Sequence, residues 1–309
     1  MSPLHIVTGA GPVGLSVAEQ LATSGHTVRV LTRSGGGPDH PLVERQRVDI
    51  SDPRQLAGRF DGAAAVYHCV HASKYEATTW WKELPGMEQL VMDEAGRAGT
   101  VVAFPESVYS YGRVTGRITE NLPRDADFGK PAVRVALLRA REAHTTPTVS
   151  VAAADFLGPH VRSSVAGETL FAPLLAGKRA KALGRIDLPH SFTYVPDLAA
   201  AMIRAATDRE LWNSFLHAPT APAITQRQLI GLIGQVAGID DPKVTALAPW
   251  MIRAIGSVNG LMREMAEMSY HLAGPIEFDS TLSETRLGLE ATPLDEAVAA
   301  TVAWWKTQA

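Results

Sequence analysis

The chain has 309 residues, 46% of them hydrophobic, enough for a large core. A net charge of −3 gives no electrostatic footprint for nucleic acid, and no run approaches the roughly 18 uncharged apolar residues of a membrane span, so neither partner is expected. A lone cysteine, Cys69, excludes an internal disulfide or a cysteine metal cluster; with a strand opening so near the N-terminus, no signal peptide and a cytoplasmic location are expected.

Residues 4–8, LHIVT, form an apolar run of strand type, followed at once by GAGPVG. SVAEQLATSG then has helical apolar spacing at Val17 and Leu21 and closes on Gly25, and HTVRVLTRS gives a second strand. In a strand–turn–helix–strand unit, Gly9 permits the tight turn, Gly11 lets backbone approach a pyrophosphate, and Gly14 lets helix pack on strand. Pro12 and Val13 fill the same turn, whose free N–H groups suit a phosphate. The glycine pattern alone is weak evidence; its flanking elements make dinucleotide binding the expectation.

The second strand ends in Thr32-Arg33-Ser34, where an NAD-binding unit normally carries an acid for the ribose 2′-hydroxyl. Arg33 can instead pair with a 2′-phosphate, which favours NADP over NAD; the alternative is a solvated arginine. SGGGPDH (34–40) reads as a loop at the adenosine end. VERQRVDISDP (43–53) gives a third strand ending in Asp49, with Asp52 opening a short helix. A fourth strand lies in GAAAVYHCVHAS (62–73), a helix spans about 86–98, and TVVAFPES is a fifth strand. Continuous apolar strands alternating with helices predict an α/β fold: a Rossmann-type, doubly wound parallel sheet covered on both faces.

TGAGPVG, VDISD, HCVHA, ESVYSYG, DFLGPH (155–160) and FTYVPDLAAAM (192–202) follow in that order. Together they resemble the extended short-chain dehydrogenase/reductases, the NAD(P)-dependent epimerase/dehydratase group, across nearly the whole chain. The resemblance implies a dinucleotide-binding domain over 1–155. A smaller, mostly helical substrate lobe would follow over 156–309, with segments near 185–206 returning onto the core. It implies cofactor contacts at Asp49 and Ile50 and along Val70, His71 and Ala72, a catalytic serine at Ser107, and a place beside the nicotinamide for Asp155. It also implies a homodimer through the helices near 86–98 and 131–144.

One departure is large. The family's proton donor is a tyrosine followed four residues later by a lysine, and none of the six tyrosines here has that partner. Counting back from Glu142 puts Arg134 at the tyrosine position and Leu138 at the lysine position. A guanidinium does not give up its proton near neutral pH, so the family's mechanism does not transfer.

Replacement candidates are Ser107, Tyr109, Lys130 and Asp155. Ser107, Tyr109 and Tyr111 alternate, so an extended segment would place them on one face at the sheet's C-terminal edge. Tyr109 is the best donor, with Lys130 or Arg134 as the charge that lowers its pKa. Lys130, just before a helix beginning near Pro131, could reach the cofactor ribose or be solvated. Asp155, at a strand end, could instead cap a helix or pair with Arg134. Tyr75, Trp80, Tyr111, Arg134 and Phe156 are candidates for the substrate wall, with packing as the alternative for the aromatics. The histidines 68, 71, 160 and 190 form no metal-like pair with a carboxylate, so no metal is assigned. Asp197 should favour the start of a late helix, and 250–272 reads as helical, with Met251, Met262, Met265 and Met268 lining a pocket or core.

The expected function is NADP(H)-dependent oxidation or reduction of a small carbonyl/alcohol pair, apolar or moderately polar because few arginines cluster in the C-terminal part. The alternatives are a non-catalytic NADP sensor, which the missing pair would suit, and an epimerase or dehydratase that recycles its cofactor.

Overall fold

The computed structural model of the chain describes residues 2–114, 116–248, 250–251, 264 and 266–308. The first half alternates strands β1 (Leu4–Thr8), β2 (Thr27–Thr32), β3 (Val43–Arg47), β4 (Ala63–His68) and β5 (Val101–Ser107) with helices α1 (Pro12–Thr23), α2 (Pro53–Leu56) and α3 (Ala77–Ala98). Then come β6 (Gly116–Ile118), α4 (Gly129–Ala143), β7 (Thr148–Ala153), β8 (Asp155–Leu157), α5 (Glu168–Leu175), β9 (Ala180–Leu183), β10 (Pro189–His190), β11 (Phe192–Tyr194), α6 (Val195–Thr207) and β12 (Ser214–His217). The remainder holds β13 (Ile224–Thr225), α7 (Gln226–Ala237), β14 (Val244–Leu247), β15 (Ile276–Phe278), α8 (Thr281–Leu287) and α9 (Leu294–Lys306).

Seven strands form one all-parallel sheet in the order β12-β7-β5-β4-β1-β2-β3. The chain winds outward in both directions from the β1/β4 neighbours, so the C-terminal edge opens into a crevice there. Both faces are dry: Val17 and Leu21 of α1 pack with Leu198 and Met202 of α6 on one side, and Leu84 and Val91 of α3 with Val133 and Leu137 of α4 on the other. A third cluster joins α5, α7 and α9 through Phe171, Leu229, Ile233 and Trp305. No described helix is long and apolar enough to cross a membrane.

Three local expectations change. The helix expected from about Gly86 begins nine residues earlier, at Ala77, and carries Pro85 inside it. Trp80, Leu84, Met87 and Val91 give it one continuous buried stripe, which outweighs the proline. Strand β12 reaches back into the sheet from well beyond the segment expected to return. Asp197 does sit in the first turn of α6, but its carboxylate accepts hydrogen bonds from the backbone N–H and hydroxyl of Thr292, tying the start of α9 to α6. The expectations for Met262 and Met265 lie outside the described residues, whereas Met268 is buried.

Candidate active site

A cleft of about 1980 Å³ runs along the C-terminal edge of the sheet. Its floor at one end is the β1–α1 turn. Gly9 has φ +88°, and a side chain there would strike the Cys69 carbonyl at 2.8 Å. A side chain on Gly14 would lie 2.1 Å from the Gly9 carbonyl oxygen, so α1 can pack this closely only on glycine. Gly11 differs: nothing lies within 4 Å of where its Cβ would be. It opens α1, its position takes no side-chain cap, and no acid occupies the first turn. The space above Gly11 and the unsatisfied N–H groups of α1 fit a diphosphate, and the cleft is large enough for the rest of a dinucleotide.

Gly9, Gly11, Pro12, Val13, Arg33, Asp49, Ile50, Val70 and His71 all line the cleft; Gly14 and Ala72 do not. Asp49 lies two residues past the end of β3 and spends its Oδ1 on the Ser51 amide (3.0 Å) and hydroxyl (2.7 Å). Arg33 is exposed. The acid it influences, Glu83, is already held below the ordinary carboxylate range by hydrogen bonds from Ser73.

At the other end the expected alternation fails. Ser107 is the last residue of β5, and its Oγ accepts from the Tyr109 amide at 3.4 Å, opening a 3-10 turn over Val108–Tyr111 that Gly112 closes at φ +69°. The chain therefore curls where an extended segment was expected, and the two tyrosines part. Tyr109 lines the cleft with Ser107. Tyr111 points away from it, its hydroxyl 2.7 Å from His217 Nε2 and its ring edge-on to Phe215, so it is no wall of this cleft.

Tyr109 sits in an aromatic nest. Its hydroxyl is 2.8 Å from that of Tyr75, and its ring stacks on Trp80 at 6.3 Å. Burial pushes Tyr109 up to about 12, with Asp155 adding to the rise and Arg134 only partly offsetting it. No lysine lowers it. Lys130 is fully buried and bound by Glu264 at 2.6 Å and Glu267 at 3.2 Å, with its ammonium 4.6 Å above the Tyr75 ring. It lines no part of the cleft and is neither solvated nor free for a ribose, which removes it from the catalytic candidates. The two carboxylates come from more than 130 residues downstream, beyond any local pattern.

Arg134 occupies the cleft wall, its guanidinium 5.0 Å above Trp80 and its Nε 3.5 Å from Glu106 Oε1. One helical repeat on, Arg141 is bidentate to Glu88 (2.7 and 2.8 Å), reaches Glu106 (3.0 Å) and bonds the Ser150 hydroxyl. The strip of α4 that would carry the tyrosine thus carries a paired, buried cation network.

The alternative for Asp155, a pairing with Arg134, does not form among the described residues. Asp155 Oδ2 instead lies 2.6 Å from Nε2 of His190. Ser107 stands opposite Ala153 in the β5/β7 register, so Asp155, two residues on, reaches the same edge. His190, His271 and Met268 line this end together with Tyr75, Trp80, Tyr109 and Phe156. His271 is buried, its Nε2 has no hydrogen-bond partner among the described residues, and burial lowers it to about 4. Neither histidine was singled out as a site residue. The sequence signal for His190 is its place two residues before the FTY strand, which pairs in parallel with Asp155–Leu157.

A sequence model of the NAD dependent epimerase/dehydratase family matches residues 5–213. The chain belongs to that family, and so is an enzyme working with a nicotinamide dinucleotide. No curated protein matches it. Among solved structures, the fold is similar to that of the Bordetella bronchiseptica enzyme WbmH in complex with NAD+, at 20% identity, TM-score 0.76, and 99% coverage of both chains. It is similar also to UDP-glucose 4-epimerase from Thermotoga maritima with UDP-glucose (17%, TM-score 0.77, 99% of both chains). A third is MoeE5 in complex with UDP-glucuronic acid and NAD (20%, TM-score 0.77, 99% of both chains).

Proposed function

We propose that the protein is an NADP(H)-dependent oxidoreductase that interconverts a small carbonyl compound and its alcohol. The observation that carries this reading is the make-up of the substrate end. Tyr75, Trp80, Tyr109, Phe156, Met268 and Leu272 wall it with carbon, Glu88 and Glu106 are taken up by the arginines, and Asp155 stands at the same sheet edge as Ser107. The arginines behind this wall, Arg134 and Arg141, are engaged by Glu106 and Glu88, and Lys130 by Glu264 and Glu267. Such a pocket favours an uncharged substrate whose one polar group meets Ser107 and Asp155. The bound cofactor supplies or removes hydride. Ser107 Oγ holds the substrate oxygen, the aromatic walls exclude water, and the paired arginines hold the wall rigid.

Arg33 supports NADP over NAD, since an exposed guanidinium in the cleft, with its neighbouring acid already bonded elsewhere, suits a 2′-phosphate. A homodimer through α3 and α4 is part of the proposal, as is the division near residue 155 into cofactor and substrate domains.

A second reading, an epimerase or dehydratase acting on a nucleotide sugar, is favoured by Arg162. That side chain is exposed in the cleft, stacked over Trp304 and Trp305 and bonded to Gln308, and no acid neutralises it among the described residues. It could meet a diphosphate.

One measurement separates the readings. NADPH consumed stoichiometrically with butane-2,3-dione or benzaldehyde supports the carbonyl reading. A UDP-sugar converted with no net change in cofactor absorbance replaces it with the second. For the cofactor, Arg33→Ser should weaken NADPH binding about 10-fold and leave NADH unchanged. Equal loss for both coenzymes would show that Arg33 does not read the 2′-phosphate.

A further inference from the structure

The missing tyrosine–lysine pair leaves a proton without a carrier, and two side chains at the sheet edge are placed to take that role. Asp155 and His190 come from different strands, β8 and β10, and meet at 2.6 Å. Their exposures are unequal: the Asp155 side chain is 32% open to the cleft and that of His190 6%. The carboxylate therefore forms the surface a substrate touches, with the imidazole behind it, packed at 5.1 Å against the Phe192 ring. We propose that Asp155 and His190 form the proton-transfer unit of this cleft, Asp155 as the catalytic residue that meets the substrate oxygen and His190 as the positioning residue that holds it and balances its charge. This rests on the carbonyl/alcohol reading above.

The chemistry follows from the pairing. A lone carboxylate has no neighbour to take a proton onward, whereas one hydrogen-bonded to an imidazole at 2.6 Å can receive a proton and pass it on. Oxidation of the alcohol breaks a C–H and an O–H bond and forms the C=O π bond. Two electrons and the hydrogen leave as hydride to the oxidised coenzyme. The hydroxyl proton passes to the Asp155 carboxylate and is taken up by His190, leaving carboxylate and imidazolium. Reduction runs the same exchange backwards, and water restores the proton.

The surrounding groups leave this proton to the pair. Tyr109 and Tyr75 are both driven upward by burial, with the Asp155 charge contributing, and stay neutral. His271 is neutral above about 4. Arg134 stacks over Trp80 beside Glu106, and Glu267, which also acts on both tyrosines, is bound to Lys130.

The test uses the full chain and three variants, with butane-2,3-dione and benzaldehyde as carbonyl probes and NADPH binding followed by fluorescence. Asp155→Asn should lower kcat by about 100-fold or more. His190→Gln, which can still donate to Asp155, should lower it about 10-fold and remove one inflection from the pH profile, with KM within about threefold. NADPH affinity should be unchanged in both. Independently of turnover, the His190 imidazole is titrated by NMR in the NADP+ and NADPH complexes. Its midpoint should be lower with the positively charged oxidised ring nearby, and should fall in Asp155→Asn, where its counter-charge is gone. Equal midpoints in the two complexes, or a His190→Gln pH profile matching wild type, overturns the proposal. If wild type consumes neither probe, the carbonyl reading fails while the NMR titration still decides whether this pair senses the nicotinamide. Tyr109→Phe serves as the third variant: a larger loss there than in Asp155→Asn would move the donor to the tyrosine.

Discussion

At the Gly9–Gly14 turn the binding surface is backbone, shaped by contacts among β1, α1 and the end of β4, whereas at the far end it is side chains drawn from segments scattered along the chain. Ser107 comes from β5, Arg134 from α4, Asp155 from β8, His190 from β10 and His271 from the turn near 270. A backbone surface tolerates change in everything except the residues that allow the close approach. A side-chain surface can be rebuilt one group at a time, and here its members include an arginine held by Glu106 and an acid–imidazole pair from two other strands.

Glycine substitutions break the first half of that comparison most sharply. Gly14→Ala forces a Cβ to 2.1 Å from a carbonyl oxygen, so α1 must move. The expected result is loss of several kcal/mol of stability, on the order of a buried overpacking clash, and no measurable dinucleotide binding by calorimetry. Gly11→Ala meets nothing in the protein and should fold with an unchanged melting temperature, yet bind the dinucleotide about 10- to 100-fold more weakly. If Gly11→Ala bound normally, the open space above that residue would not be the diphosphate seat.

The cation network behind the far wall is the next largest effect. Arg141 is 3% exposed and neutralises Glu88 and Glu106, themselves nearly inaccessible. Arg141→Met strands the buried Glu88, leaves Glu106 with Arg134 alone, and should cost about 3–5 kcal/mol in urea unfolding, with a partial recovery when Glu88→Gln is added. A loss below about 1 kcal/mol would mean water reaches the network and the wall is softer than its packing indicates.

Acid should act on the whole chain through its histidines. His5, His217 and His271 are held down to about 4 and His68 to about 3, with burial the first cause in each, so all four are neutral in the folded state. The unfolded chain binds protons near 6.5, so the stability these groups contribute is fully present above that value and is lost as pH falls through 6.5 towards 4. Each costs about 1 kcal/mol per pH unit in that window. A urea midpoint that stays flat between pH 7 and 5 would show that the folded protein accepts those protons.

The contrast between the two ends also explains what could be read in advance. Gly9, Gly11 and Gly14 sit within one turn, so their spacing alone states a backbone geometry, and the parallel sheet follows from strands that are apolar throughout. Arg134 falls on α4 and lines the cleft, a place that a count along one helix from Glu142 can reach. Lys130 was misplaced because its partners, Glu264 and Glu267, lie more than 130 residues away. The Asp155–His190 pair was invisible for the same reason: 35 residues and several elements separate its members, and only the folded register joins them.

Tyr111 offers the smallest effect and the finest discrimination. Ser107-x-Tyr109-x-Tyr111 looks like one extended face, and only the 3-10 turn after Ser107 separates the two rings. Tyr111→Phe removes a single hydroxyl bonded to His217 and leaves the ring packed against Phe215, so stability should fall by about 1 kcal/mol. Because His217 also bonds the Asp279 carbonyl through Nδ1, the imidazole keeps its place when the phenol is lost. Cofactor affinity and kcat should therefore match wild type, whereas Tyr109→Phe removes a hydroxyl inside the cleft and should alter KM or kcat. A Tyr111→Phe variant with impaired turnover but ordinary stability would mean that the segment straightens when substrate binds, returning both tyrosines to one face.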